Sequence, residues 1–131
     1  MDTGGRVTQE QLPRGLKFIG NKFMSLKHIA VAEILMDVEK ELRDLQLWEF
    51  ESPSEEALAS TQPFAIDTLN FPQWLQFMFI PRLYMMVEQR MPLPSVSGVK
   101  PMAEEYFQVL NLNSAALILH LERMDNLLST Q

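Results

Sequence analysis

The side chains in this sequence that could do chemistry are two histidines, a scatter of carboxylates, and one acid and one arginine flanking an aromatic run. His28 and His120 stand far apart, and neither has a second histidine at ligand spacing. A metal site would have to draw its remaining ligands from carboxylates elsewhere. Glu104, Glu105, Glu122 and Asp125 could pair for acid–base work, but carboxylates on helix exteriors are usually solvated, and spacing alone brings no two of them into one pocket. Ser60 and Thr61 lack the elbow glycines a strained nucleophile needs, so they read as turn and cap residues. The absence of cysteine removes disulfides, thiolate ligands and cysteine nucleophiles together. These residues give no catalytic, cofactor or metal assignment, and the chain reads as a non-enzyme.

Asp67 and Arg82 are the better candidates. Between them runs Phe71-Pro72-Gln73-Trp74-Leu75-Gln76-Phe77-Met78-Phe79-Ile80-Pro81-Arg82. A proline and an arginine in an otherwise apolar helical stretch leave a carbonyl without its donor and a charge in need of a partner. The expectation is an Asp67–Arg82 ion pair near the edge of the fold, with Gln62 and Gln76 completing the hydrogen bonds, so that Arg82→Ala lowers stability. A polar pocket built by Gln62, Asp67, Trp74, Arg82 and Tyr84 is the alternative. If this helix is not central to the bundle, one of its sides is left exposed and docks a partner, and Phe79 is the candidate interaction residue there.

The elements that must position these residues are helical. Val31, Leu35, Val38, Leu42 and Leu45 follow steps of four and three, which predicts a first helix over 25–47. Glu51 to Ala59 is a polar connection with room for one short turn at 55–58. Asn70 caps the second helix, with Pro72 in its first turn, and the body runs to about Gln89. Pro81 predicts a kink, or two helices joined at Ile80. Met91-Pro92-Leu93-Pro94-Ser95-Val96-Ser97-Gly98 forces an extended strap. A third helix opens with Pro101 at its first position, and Asn113 or Ser114 caps the last, whose inner stripe is Leu117, Leu121, Met124 and Leu128. The fold class is all-α: a compact bundle of four to five helices, with no strand alternation.

The chain has 131 residues, 47% of them apolar and 21% charged, which suits one globular domain. Residues 1–23 hold four of the five glycines and carry four basic against two acidic residues, so Met24 to Gln131 has a net charge of -8. Residues 1–23 read as a flexible or non-native extension, and 24–131 as the single helical domain. A formal charge of -6 disfavours direct nucleic-acid binding, since no basic face is left to release counterions from a phosphate backbone. The longest apolar stretch, 74–87, is interrupted by Gln76, Pro81 and Arg82 and is too short to span a bilayer. With no cysteine and no signal peptide, the expected compartment is the cytoplasm.

Ser60-Thr61-Gln62-Pro63-Phe64, Asp67-Thr68, Trp74-Leu75-Gln76, Ile80-Pro81-Arg82, Pro92-Leu93-Pro94 and Ala116-Leu117-Ile118-Leu119 with Leu121-Glu122 and Asp125 carry a resemblance. Over about 24–128 the chain resembles the YqcC-like family, small bacterial helical proteins of unassigned activity. The resemblance implies a helical bundle and genes that lie beside, or are joined to, a tRNA pseudouridine synthase; no catalytic residue comes with it. Nine methionines, among them Met78, Met85, Met86 and Met91, add an adaptable apolar surface. The reading is therefore a small acidic accessory protein that binds a protein partner, or a second copy of itself, through the 74–87 region and the strap. The tRNA pseudouridine synthase is the partner the resemblance implies, and a small-molecule-binding domain around Asp67, Trp74 and Arg82 is the alternative.

Overall fold

The computed structural model describes residues 17–19 and 22–130. The first two elements are short strands, β1 (Lys17–Ile19) and β2 (Lys22–Met24), paired antiparallel with Phe18 opposite Phe23. The sequence reading placed no strand here. Its signal is two β-prone triplets separated by two residues of hairpin type, Gly20-Asn21, too short to register as alternation. The rest of the expected 1–23 extension lies outside the described residues.

All the remaining elements are helical. The first, α1 (Leu26–Asp44), starts at Ser25, whose hydroxyl accepts the His28 N–H at 3.1 Å. Val31, Leu35, Val38 and Leu42 are fully buried, as the seam requires. The helix closes in a Schellman turn in which the Leu47 N–H reaches the Leu42 carbonyl at 2.8 Å and the Gln46 N–H reaches Arg43 at 3.0 Å. That closure places Gln46, an exposed non-glycine residue, at φ 62°. After α2 (Glu55–Leu58) and a single tight turn at Pro63–Ala65 comes α3 (Phe71–Trp74). Asn70 and Gln73 cap it reciprocally, each side chain accepting the other's backbone N–H at 2.9 Å.

Beyond α3 the helix does not kink sharply at Pro81. It widens one turn earlier, into a π turn over Leu75–Phe79 in which the Ile80 N–H bonds the Leu75 carbonyl, and then continues as α4 (Ile80–Glu88). An unbroken α-helix would ask Pro81 for an N–H to the Phe77 carbonyl. The extra residue in the wide turn shifts the bonding register just before the proline and spreads the irregularity over a whole turn. Phe71, Leu75, Phe79, Ile80, Leu83 and Val87 are buried along this composite helix. Of its large apolar side chains only Met85, at 42%, is exposed, whereas Phe79, at 8%, is a member of the core, so this helix is largely enclosed.

The third long element, α5 (Val99–Phe107), begins two residues before the expected start, which puts Pro101 at its third position. Proline is tolerated there because the first N–H groups of a helix have no intrahelical partner. Those that remain are met from another helix. Asp125 of α6 (Ala115–Ser129) accepts the Val99 N–H at 3.0 Å, the Lys100 N–H at 2.8 Å and the Ser97 hydroxyl. Leu117, Leu121, Met124 and Leu128 of α6 are fully buried. α1 packs between α4 and α6, and α5 packs on α6. No described helix is long and apolar enough to cross a membrane.

Removing the Asp125 carboxylate strands a buried helix start, so Asp125→Ala should lower unfolding stability by about 2 kcal/mol, and Asp125→Asn, which keeps an acceptor, by less. Chemical denaturation measures both. In the same assay Gln46→Gly should raise stability by about 0.5–1 kcal/mol by relieving the left-handed backbone.

Candidate functional site

The turn Ser60-Thr61-Gln62-Pro63-Phe64-Ala65 and the composite helix face each other across a cleft of about 300 Å³ whose other walls are Trp74, Met78, Phe79 and Arg82. A second cleft of about 240 Å³ adjoins it and shares Pro63, Phe64, Trp74, Phe79 and Arg82. Its far wall is the proline strap, through Pro94, Val96 and Ser97. Together they form one groove, mixed in polarity on the side of the turn and mainly apolar on the side of the strap, and Arg82 lines both halves. Four of the expected site residues, Gln62, Trp74, Phe79 and Arg82, meet here.

Both walls are held from behind. Phe64 lies 4.7 Å from Trp74, centroid to centroid, and Trp74 lies 5.1 Å from Phe79. Phe64 and Ala65 have φ of 57° and 49°, a left-handed pair of non-glycine residues that local propensity alone would not choose. Ser60 and Thr68 tie the turn down: the Ser60 hydroxyl donates to Asp67 at 2.6 Å and accepts the Gln62 N–H at 3.1 Å, while the Thr68 hydroxyl reaches the Ala57 carbonyl at 2.7 Å. The strap is fixed at its start by His28, whose Nε2–H donates to the Met91 carbonyl at 2.7 Å, and at its end by Ser97 on Asp125.

The expected Asp67–Arg82 ion pair does not form. Asp67 is exposed and turned onto Ser60, and Arg82 has no carboxylate within ion-pair distance among the described residues. Gln76 is nearly buried, at 6% exposure, and serves a different segment. Its side-chain amide both accepts the Glu49 N–H at 2.9 Å and donates to the Glu49 carbonyl at 2.7 Å, imitating a strand partner for the loop after α1. Tyr84 is half-buried on α4 outside the groove; burial and then the Glu39 charge push its phenol above the usual range.

The other candidates have structural partners. His28 holds the strap, and His120 accepts from Arg123 at 2.8 Å, which also pairs with Asp37 at 3.2 Å. Asp125 caps α5. Glu122 lies 3.2 Å from the Lys100 ammonium, and Glu104 4.0 Å from it. Hydrogen bonding to Glu122, then the charges of Glu122 and Glu104, raise the Lys100 pKa. Among the described residues no three His, Asp or Glu side chains converge as metal ligands would. The sequence reading missed Phe64 as a wall; its signal was an aromatic directly after the turn proline.

Such a site defines a small helical bundle with an open groove walled by aromatic, proline and polar side chains. The chain belongs to the DUF446 family, whose description reads "tRNA pseudouridine synthase C" and whose profile matches residues 30–127. It is 33% identical over 100 residues to the uncharacterized protein YqcC of Escherichia coli (strain K12), covering 76% of this chain and 92% of YqcC. The solution NMR structure of E. coli YqcC matches with a TM-score of 0.70 at 32% identity, covering 79% of this chain and 88% of that one. An uncharacterized protein of Haemophilus influenzae is 37% identical over 70 residues, 53% of this chain and 66% of the relative. A protein of Pectobacterium carotovorum named tRNA pseudouridine synthase C is 39% identical over 64 residues, which is 49% of this chain but 17% of the synthase. The YqcC-like resemblance is therefore correct.

The partners of Gln76 and Arg82 invert the stability expectation. Gln76→Ala leaves both Glu49 backbone groups unpaired and should cost about 1–3 kcal/mol in denaturant unfolding. Arg82→Ala should stay within about 0.5 kcal/mol of the parent, as an exposed side chain without an ion pair does.

Proposed function

We propose that this protein is a non-catalytic docking protein whose groove takes up a segment of a partner protein, and that the partner is a tRNA pseudouridine synthase. The observation that carries the docking reading is the groove itself. Aromatic and proline side chains line it together with Ser60, Thr61, Gln62 and Arg82, both walls are pinned, and it is open to solvent, with Val96 79% exposed at its strap side. Preformed apolar grooves with fixed walls keep the entropic cost of binding a chain segment low. A small molecule fits less well. Asp67, the acid that would orient a polar ligand, is exposed and faces Ser60.

The choice of partner rests on the Pectobacterium relative, in which a segment similar to half of this chain is part of a polypeptide named as the synthase. A domain that works joined to an enzyme in one species can work beside it as a separate chain in another. On this reading the chemistry belongs to the synthase, and the acidic chain acts on it without touching the RNA backbone.

Calorimetric titration of the chain against the tRNA pseudouridine synthase C of the same genome tests this. A defined complex is expected, weakened at least about tenfold by Phe64→Ala or Val96→Asp. Val109→Asp, at a residue 80% exposed that lines neither cleft, should leave it unchanged. No association, or equal loss with the Val109 variant, would reject the reading. Self-association lost through the same two groove variants would reassign the groove to a second copy of the chain.

A further inference from the structure

Arg82 differs in its surroundings from Arg43 and Arg123. Arg43 pairs with Glu39 at 3.0 Å and stacks over Trp48 at 4.4 Å, and Arg123 pairs with Asp37. Arg82 has no carboxylate partner among the described residues and sits where the two clefts meet. No acidic side chain lines either cleft. A chain of net charge -6 thus presents, in a groove with aromatic and proline walls, a guanidinium with no carboxylate partner among the described residues.

We infer that the groove recognises an extended peptide segment in which a carboxylate side chain, set between two apolar side chains on the same face, pairs with Arg82. The inference rests on the reading of the groove as a peptide-docking surface, not on the identity of the synthase. In an extended chain alternate residues share a face, so the groove-facing pattern is apolar, any, acidic, any, apolar. The planar guanidinium can hold a carboxylate through two parallel hydrogen bonds, and aromatic and proline walls that exclude water strengthen that pairing. The two clefts, of about 300 and 240 Å³, have room for the flanking apolar groups. The specificity resides in the match of one charge and two apolar anchors.

The probe is a capped peptide reading Ser-Leu-Ser-Glu-Ser-Leu-Ser, with copies carrying glutamine or lysine at the centre, titrated at millimolar concentration into labelled protein. The shift of the Trp74 indole N–H is the readout, with Trp48, already covered by Arg43, as internal reference. The glutamate peptide should move Trp74 and not Trp48, and should bind about tenfold more tightly than the glutamine copy, with the lysine copy weakest. Arg82→Gln should equalise the glutamate and glutamine peptides without changing the protein's unfolding midpoint. Equal affinity of the two peptides for the parent protein, no movement of Trp74 with any of them, or tighter binding of a short single-stranded RNA would overturn the inference. Discrimination by Arg82 together with no complex with the synthase would leave the inference standing and retire that partner alone.

Discussion

Three separate pieces of this fold meet on the Asp125 carboxylate. It takes the hydroxyl of Ser97 at the end of the strap and the first two backbone N–H groups of α5, and it is itself carried on α6, whose buried stripe faces α1. A helix start normally caps itself with the residue just before it. Here that residue is Gly98, at φ 61°, which has no side chain to offer. The left-handed glycine lets the chain turn sharply out of the strap, and the cap is then supplied from another helix by a charged acceptor that the helix dipole favours. The direction of α5, the end of the strap and hence the far wall of the groove all follow from that single acceptor.

The near wall depends on a different arrangement of the same kind. Pro81 denies the composite helix one donor, and the wide turn before it resets which side chains face inward. Phe79 goes into the core while Arg82 stays in solvent beside it. Phe64 and Ala65, held in left-handed backbone, bring the Phe64 ring onto Trp74. Strain of this kind persists only where the surroundings over-determine it, and the bonds at Ser60 and Thr68 do so.

Much of this was legible in the residues. The α1 and α6 stripes, the cap at Asn70, the short helix at 55–58 and the extended strap follow from periodicity, cap chemistry and proline spacing, all of which act within a few residues. What the sequence could not show is which distant group completes a local deficit. Asp67 and Arg82 looked like mutual partners because they were opposite charges flanking one helix, but a hydroxyl seven residues away in sequence claimed the aspartate first. Gln76 looked like an accessory to that pair and instead spends both ends of its amide on Glu49. Asp125 read as a solvated surface acid because nothing in its own helix shows that the start of α5 lies against it. The reading of Pro101 as the first residue of its helix erred by two positions for the same reason, since the cap it depends on is tertiary.

These substitutions of partner also bear on why Arg82 is the residue to watch. A fold this size usually resolves its charges, and here the carboxylates with most opportunity to pair are already occupied: Glu39 with Arg43, Asp37 with Arg123, Glu122 with Lys100 and Asp67 with Ser60. Arg82 is left exposed at the edge of the groove, beside the Phe64, Trp74 and Phe79 side chains that line it. Such a position has a modest effect on the free protein's stability, since the guanidinium keeps contact with water. It gains most when a carboxylate arrives on a surface that displaces that water, because the two charges then meet in a lower dielectric than either had alone. The same reasoning explains why an acidic protein can select an acidic segment: selectivity is set by the few ångströms around the arginine, and the net charge of the chain acts only on how quickly the two meet.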